Sequence, residues 1–173
     1  MITEKLYKLE QESISRGIPI LGSVKGTWLY HLVKELKPQK ILELGTANGY
    51  SGIIMGSEGA ELTTIELNPE IAEEAKANFK EYKIKAKVII GDAVEEIKKL
   101  NENFDLIFID FAKRKYIEVL EKAINLLNKN GVIVADNITM EGCKDFKERV
   151  LNHPKLKTEI INIKDGLGYS QLQ

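Results

Sequence analysis

Short apolar runs recur along the chain, each divided from the next by a stretch with helical spacing. "KILEL" (40–44), "ELTTIEL" (61–67), "AKVIIGD" (86–92), "FDLIFID" (104–110) and "GVIVADN" (131–137) are rich in isoleucine and valine and read apolar on both faces. Strands buried inside a parallel sheet have this pattern. Between them, "YSGIIMGS" (50–57), "PEIAEEAKANFKEY" (69–82), "AVEEIKKL" (93–100) and "RKYIEVLEKAINLLNK" (114–129) repeat apolar residues three and four apart, which predicts helices. Pro69 falls at the first turn of its helix, where a missing N–H costs nothing.

Upstream, "TEKLYKLEQESIS" (3–15) predicts a helix with Leu6, Leu9 and Ile14 on one face. "RGIPILGS" breaks it. "VKGTWLYHLVKELK" (24–37) predicts a second helix that stops before Pro38, because the residue before a proline disfavours the helical region. Its Trp28, Leu29, Leu32 and Val33 are expected to cover the sheet or to face a partner chain. At the other end, "MEGCKDFKERVLN" (140–152) reads as a helix. "KTEIINIK", a turn at "DGLG" and "YSQLQ" follow with no helix between, which predicts a closing antiparallel hairpin. The fold class is therefore α/β: a doubly wound, Rossmann-like sandwich on a mostly parallel seven-stranded sheet.

Composition narrows this only a little. The 173 residues suit one domain with a real core, 1–173. No apolar run approaches the ~20 residues of a membrane helix, and the charged N-terminus lacks the apolar centre of a signal peptide. Cys143 is the only cysteine, so no internal disulfide forms and a cytoplasmic setting is expected. A net charge of -1 lacks the basic excess of most nucleic-acid binders. His31 and His153 are expected on the surface, and Cys143 as a small apolar filler.

The candidate chemistry lies where strands end. Glu43, Glu66, Asp92, Asp110 and Asp136 each fall at or near the end of an apolar run, the edge at which sheets of this kind bind ligands. The loop "ELGTANGYSG" after the first strand has glycines for a tight turn and close backbone approach. It has no G-K-[ST], so it is not a nucleoside-triphosphate loop. An acid beside it disfavours pyrophosphate and favours a cation. Glu66 is placed for ribose hydroxyls, a role it would also have toward a dinucleotide. S-adenosylmethionine, an adenosine with a sulfonium and an amino-acid tail, suits the set better, with Asp92 toward the adenine amino group. In the second half, Asp110, Asp136 and the neighbouring Asn137 form a hard-oxygen set suited to Mg2+ or Ca2+, with Mn2+ as a further choice. Lys113 follows Asp110 by three residues.

These segments resemble the metal-dependent O-methyltransferases of the catechol and caffeoyl-CoA type, within the class I S-adenosylmethionine-dependent methyltransferases. "LELGTANGYS", "TTIELNPE" and "GDAVE" resemble the cofactor segments. "IDFAKRKY" resembles a D-x-x-K-x-x-Y segment through Asp110, Lys113 and Tyr116, and "VIVADN" a second metal segment. The resemblance runs from about "GSVKG" to "DGLGYSQL". It implies that Glu43, Gly45, Thr46 and Ser51 line the methionine end of the cofactor, that Glu66 binds the ribose, and that Asp92 and Ala93 border the adenine. Leu21 and Gly22 fold over the cofactor, as part of N-terminal helices within 1–37 that cover the site. Asp110 serves both cofactor and metal, with Asp136 and Asn137 as the other metal ligands. Lys113 is the general base, a role suited to a lysine beside a cation, whose neutral form is favoured there.

The departures concern the substrate. Ala112 stands in place of an aromatic residue, "SRGIP" offers none, and Gly168 stands where the family has an acid in the final hairpin. The N-terminus is shorter than in plant members, which use that region to hold an acyl-CoA. Phe111 is either pocket wall or core. The expected substrate is a small molecule with vicinal oxygens. A transfer RNA hydroxyuridine is the alternative, since Lys113, Arg114 and Lys115 could meet phosphate. A dinucleotide-dependent oxidoreductase and a non-catalytic cofactor-binding module are the rivals of other classes. Relatives of this type often dimerise, so the resemblance implies a homodimer, with no membrane partner.

Overall fold

The computed structural model describes all residues, 1–173. Eight helices and seven strands alternate. The helices are Ile2–Lys5 (α1), Tyr7–Ser15 (α2), Gly22–Leu36 (α3), Tyr50–Gly56 (α4), Pro69–Glu81 (α5), Ala93–Lys99 (α6), Tyr116–Asn125 (α7) and Lys144–Leu151 (α8). The strands are Lys40–Leu44 (β1), Glu61–Glu66 (β2), Ala86–Ile90 (β3), Phe104–Ile109 (β4), Leu127–Asp136 (β5), Leu156–Ile161 (β6) and Leu167–Leu172 (β7). Their order in the sheet is β3-β2-β1-β4-β5-β7-β6. The first five strands run parallel, and β7 is antiparallel to both β5 and β6. The sandwich and its closing hairpin are thus as the pattern predicts.

Alternation along the strands divides the core in two. Leu42, Leu44, Ile107, Ile109, Ile133 and Ala135 face α6, α7 and α8. Ile41, Leu106, Phe108, Val132 and Val134 face the layer of α1 to α5. By the same period of two, Glu43 and Asp136 point toward that second layer. Leu29 and Val33 of α3 are buried there, with Trp28 and Leu32 packed against them. The order of strands reverses between β1 and β4, which opens the crevice where such sheets take ligands. No helix is long and apolar enough to cross a membrane.

Several expectations are corrected. The first helix is two: Leu6 separates α1 from α2. Ile14 is 61% exposed, whereas Ser13, seven residues after Leu6, is buried and donates to the Leu9 carbonyl. Within α2, Ser13 lies about 40° round the helix from buried Leu9 and Ile14 about 140°, on the other side. The helical spacing of 114–129 overruns: α7 ends at Asn125 and Leu127 already pairs with Phe104. His153 is buried, with Nδ1 accepting from the Lys155 N–H at 3.2 Å. The 140–152 helix begins with a 3-10 turn at Glu141–Cys143, and Cys143 is buried as expected. β3 at the sheet edge is only half-buried.

Candidate active site

A cleft of about 530 Å³ lies over the carboxyl ends of β1, β2, β3 and β4. Its position follows from the loops. Gly45 follows β1 with φ +98, and a Cβ there would meet the Asp110 carbonyl oxygen at 1.9 Å. The loops after β1 and β4 therefore touch backbone to backbone across the crevice, which only glycine allows. Asp110 N donates to the Leu44 carbonyl at 2.8 Å, fixing the same contact. Leu21, Gly45, Thr46, Ser51, Glu66, Asp92, Ala93, Asp110 and Lys113 all line the cleft. Gly22 lies just outside it, where the next residue, Ser23, donates its N–H to Glu10 at 3.0 Å.

Glu43 sits behind the cleft rather than in its wall. It is fully buried, and its two oxygens accept from Ser51 Oγ at 2.5 Å and Thr64 Oγ1 at 2.6 Å. Burial pushes its carboxyl up from 4.5 to about 8, the charges of Asp110 and Glu66 adding to the effect and the two hydroxyls opposing it. Glu43 therefore holds a proton near neutral pH, with one of its oxygens then donating to its hydroxyl neighbour instead of accepting, and a cation arriving at Ser51 would favour its release. The folded chain binds this proton between about 4.5 and about 8 where the unfolded chain does not, so stability falls as pH rises through that window. Glu43→Gln should remove that fall. Thermal melts of both proteins between about pH 5 and about pH 9 check it, and parallel curves would refute the assignment.

Glu66 is held by backbone: Ala47 N donates to Oε2 and Asn68 N to Oε1, both at 2.9 Å. Its position beside the glycine loop is thereby set while further lone pairs remain for ligand hydroxyls. Asp92 caps α6 through Val94 N at 2.9 Å and accepts from Lys115 Nζ at 2.8 Å. These contacts, with the Lys115 hydrogen bond foremost, hold its carboxyl below the ordinary 3.8.

The oxygen set lies on the far side of Asp110. Asp110 Oδ1 accepts from Lys113 Nζ at 2.7 Å, and Lys113 also donates to the Phe111 carbonyl at 3.1 Å. Asp136 is 4% exposed. Burial first and Asp110 second push its carboxyl up, against the opposing effects of Lys25 and the Asn137 N–H. Ile109 and Ala135 pair across the adjacent strands β4 and β5, so Asp110 and Asp136, the next residue of each, stand side by side. Asn137 sits at φ +58 directly after β5, and its Nδ2 donates to Asp165 Oδ2. One oxygen on each of Asp110, Asp136 and Asn137 accepts no hydrogen bond from the protein.

Nowhere does the chain gather three or more His, Cys, Asp or Glu side chains in a metal-binding array. Asp110, Asp136 and Asn137 offer two carboxylates and an amide, hard oxygens of the kind that Mg2+, Mn2+ or Ca2+ take. The Tyr116 hydroxyl is buried close to the Phe111 backbone, with no hydrogen bond of good geometry to the protein.

Sequence reasoning missed part of the wall: Ile18, Pro19, Ile20, Tyr50, Leu67 and Lys115 also line the cleft. Leu67 carried a usable signal. It is an apolar residue directly after the acid that ends β2 and is 68% exposed, a flat surface suited to a purine face. Lys25 gave no such signal. It is 2% exposed and pairs with Asp136 and Asp165. Burial works against its charge, yet the hydrogen bonds and charges of the two carboxylates prevail and hold its pKa above 10.5. Phe111 belongs to both settings, lining the cleft while stacking on Tyr116 with ring centroids 5.4 Å apart.

A family profile described as O-methyltransferase matches residues 3–170. The chain belongs to the O-methyltransferase family. Catechol O-methyltransferase B of Danio rerio is 34% identical over 169 residues, covering 87% of this chain and 64% of that protein. The chain therefore spans a little under two thirds of that relative. Catechol O-methyltransferase of Sus scrofa is 31% identical over 164 residues, with 88% and 87% covered. Among solved structures, an O-methyltransferase from Bacillus cereus in complex with SAH superposes with a TM-score of 0.89 at 23% identity, covering 98% of this chain and 91% of that one. That likeness shows the shared Rossmann-like fold. For a member of this O-methyltransferase family, one departure now has a physical reason: a Cβ at Gly168 would meet Ile138 Cδ1 at 2.3 Å, so the hairpin position where the sequence lacks an acid is filled by a buried isoleucine.

Proposed function

We propose that this protein transfers a methyl group from S-adenosylmethionine to a hydroxyl of a small molecule with two neighbouring oxygens, a catechol or related phenolic, with a divalent cation assisting. Asp110 carries the reading. It lines the cleft beside Gly45, and on the other side it neighbours Asp136 across the paired ends of β4 and β5. A donor in the cleft and an oxygen pair at the acids would meet at this one residue.

In this reading Glu66 holds the ribose, Leu67 covers the base and Ser51 meets the amino-acid end. SAH in the Bacillus cereus relative supports that use of the cleft, and catechol in the names of the Danio and Sus relatives supports the substrate class. When bound, the donor supplies an activated methyl group and the cation supplies Lewis acidity to vicinal oxygens. Asp110, Asp136 and Asn137 orient that oxygen pair, and Lys113 takes the proton of the hydroxyl that is methylated.

The basic run beside the site favours a small molecule over transfer RNA. Lys113 and Lys115 are each paired with an acid, Asp110 and Asp92, so only Arg114 of the three is left to meet phosphate. Membership in the family leaves the dinucleotide oxidoreductase without support. The test is a methyl-transfer assay with S-adenosylmethionine over catechols, phenolic acyl thioesters and transfer RNA. Catechol methylation should stop with a chelator and return with Mg2+. Undiminished transfer in chelator would refute the cation's part, and transfer to RNA alone would refute the small molecule. Cofactor binding without transfer to any acceptor would favour the non-catalytic module.

A further inference from the structure

Lys25 is the one lysine that the fold buries outright. It comes from the first turn of α3, and its Nζ donates to Asp136 Oδ1 and to Asp165 Oδ1, partners 111 and 140 residues away. Asp165 in turn holds Asn137 through the amide Nδ2, and the Asn137 N–H returns to Asp136 Oδ1 at 2.7 Å. The four residues close a ring. Within it, the amide nitrogen of Asn137 is occupied, so its oxygen is the atom left to face a ligand. Asp136 Oδ1 is likewise engaged by two donors, which leaves Oδ2.

The charges have a second consequence. Asp110, Asp136 and Asp165 face the ammonium groups of Lys25 and Lys113, so the rim without a ligand is close to balance. Asp136 is the buried member, and a buried carboxylate beside a second acid without that compensation would be strongly disfavoured.

We propose that Lys25 and Asp165 form a positioning pair for Asp136 and Asn137, and that Lys25 is a built-in counter-charge that keeps the acids together without a divalent cation and limits how tightly one binds. The inference rests on the cation reading above, and its signature is one of sign. A pair that merely clamps α3 to the hairpin would, when cut, loosen the site and weaken cation binding in every variant. A counter-charge gives opposite results from its two members. Lys25→Met removes a positive charge, so Mg2+ and Mn2+ should bind about tenfold or more tightly. The cation-free protein should melt lower, and added cation should recover the difference. Asp165→Asn keeps an oxygen for the Asn137 amide but removes a negative charge, so cation affinity should fall about tenfold. Lys25→Arg keeps the charge and should bind as the unaltered protein does.

Calorimetric titration of Mg2+ and Mn2+ into each whole protein, with thermal melts, reads all of this without turnover. Tighter binding for Lys25→Met and weaker binding for Asp165→Asn support the proposal. Weaker or unchanged binding for Lys25→Met overturns it. If that variant fails to fold even with cation, Lys25→Gln, which removes the charge but keeps a donor for the carboxylates, takes its place: tighter binding supports the proposal, and weaker or unchanged binding overturns it. An unaltered protein that binds neither cation refutes the cation reading and this inference together, whereas binding with the wrong sign in the variants refutes this inference alone.

Discussion

Gly45→Ala should lose about 4 kcal/mol of stability or more, and with it all cofactor binding. Two causes act at once. The backbone there lies at φ +98, and the new Cβ would stand 1.9 Å from the Asp110 carbonyl oxygen. That oxygen belongs to backbone and cannot rotate away, so the loops after β1 and β4 must part. Asp110 then leaves the position it shares between cleft and acids. Gly59 is the control: its φ is +96, but a Cβ there meets nothing within 4 Å. Gly59→Ala should cost only the conformational strain, roughly 1–2 kcal/mol, and leave the cleft intact. Denaturant melts and calorimetric titration with SAH compare the two. Equal losses would mean that the close approach at Asp110 contributes nothing.

Lys113→Ala should lower turnover by about 10²- to 10⁴-fold, the range for loss of a positioned base, with SAH affinity nearly unchanged. The side chain has structural contacts as well: it donates to Asp110 and to the Phe111 carbonyl and lies over the Tyr116 ring, 5.4 Å from its centroid. Lys113→Arg separates the roles. A guanidinium can keep the charge and the pairing with Asp110, but it cannot give up its proton near neutral pH. If Lys113 takes a proton, arginine fails as badly as alanine. If it only neutralises Asp110, arginine restores turnover. Single-turnover rates for the three proteins answer the question, and full activity in Lys113→Ala would reject the base outright.

How much of this was legible in the sequence depended on the range of the cause. The parallel strands were readable because each is a short Ile- and Val-rich run whose burial on both faces leaves a local trace. The Pro69 start of α5 was equally local; the cap before it was not singled out, although the Asn68 side chain accepts from Glu70 N and Ile71 N, as an N-cap does. The shared edge of the acids followed from parallel order alone. What escaped was set by partners distant in the chain. Lys25 lies in an amphipathic helix and reads as one more surface lysine; only Asp136 and Asp165, 111 and 140 residues on, make it internal. Glu43 reads as an exposed negative charge, yet its place one residue before the end of β1 turns it under α4, where burial keeps it protonated. The end of α7 was overrun because strand pairing of Leu127 with Phe104 prevails over helical spacing that would have continued.

The sheet ends in two strands that each pair on one side only, β3 and β6. Both are short, and both set charge at alternate outward positions: Lys85 and Lys87 by β3, Lys157 and Glu159 in β6, all exposed. A further strand laid along either margin would have to strip water from those groups without offering them partners. Charged edges of this kind are how open sheets resist stacking into fibres, so the domain can keep a hydrophobic, strand-forming centre and still remain dispersed when crowded.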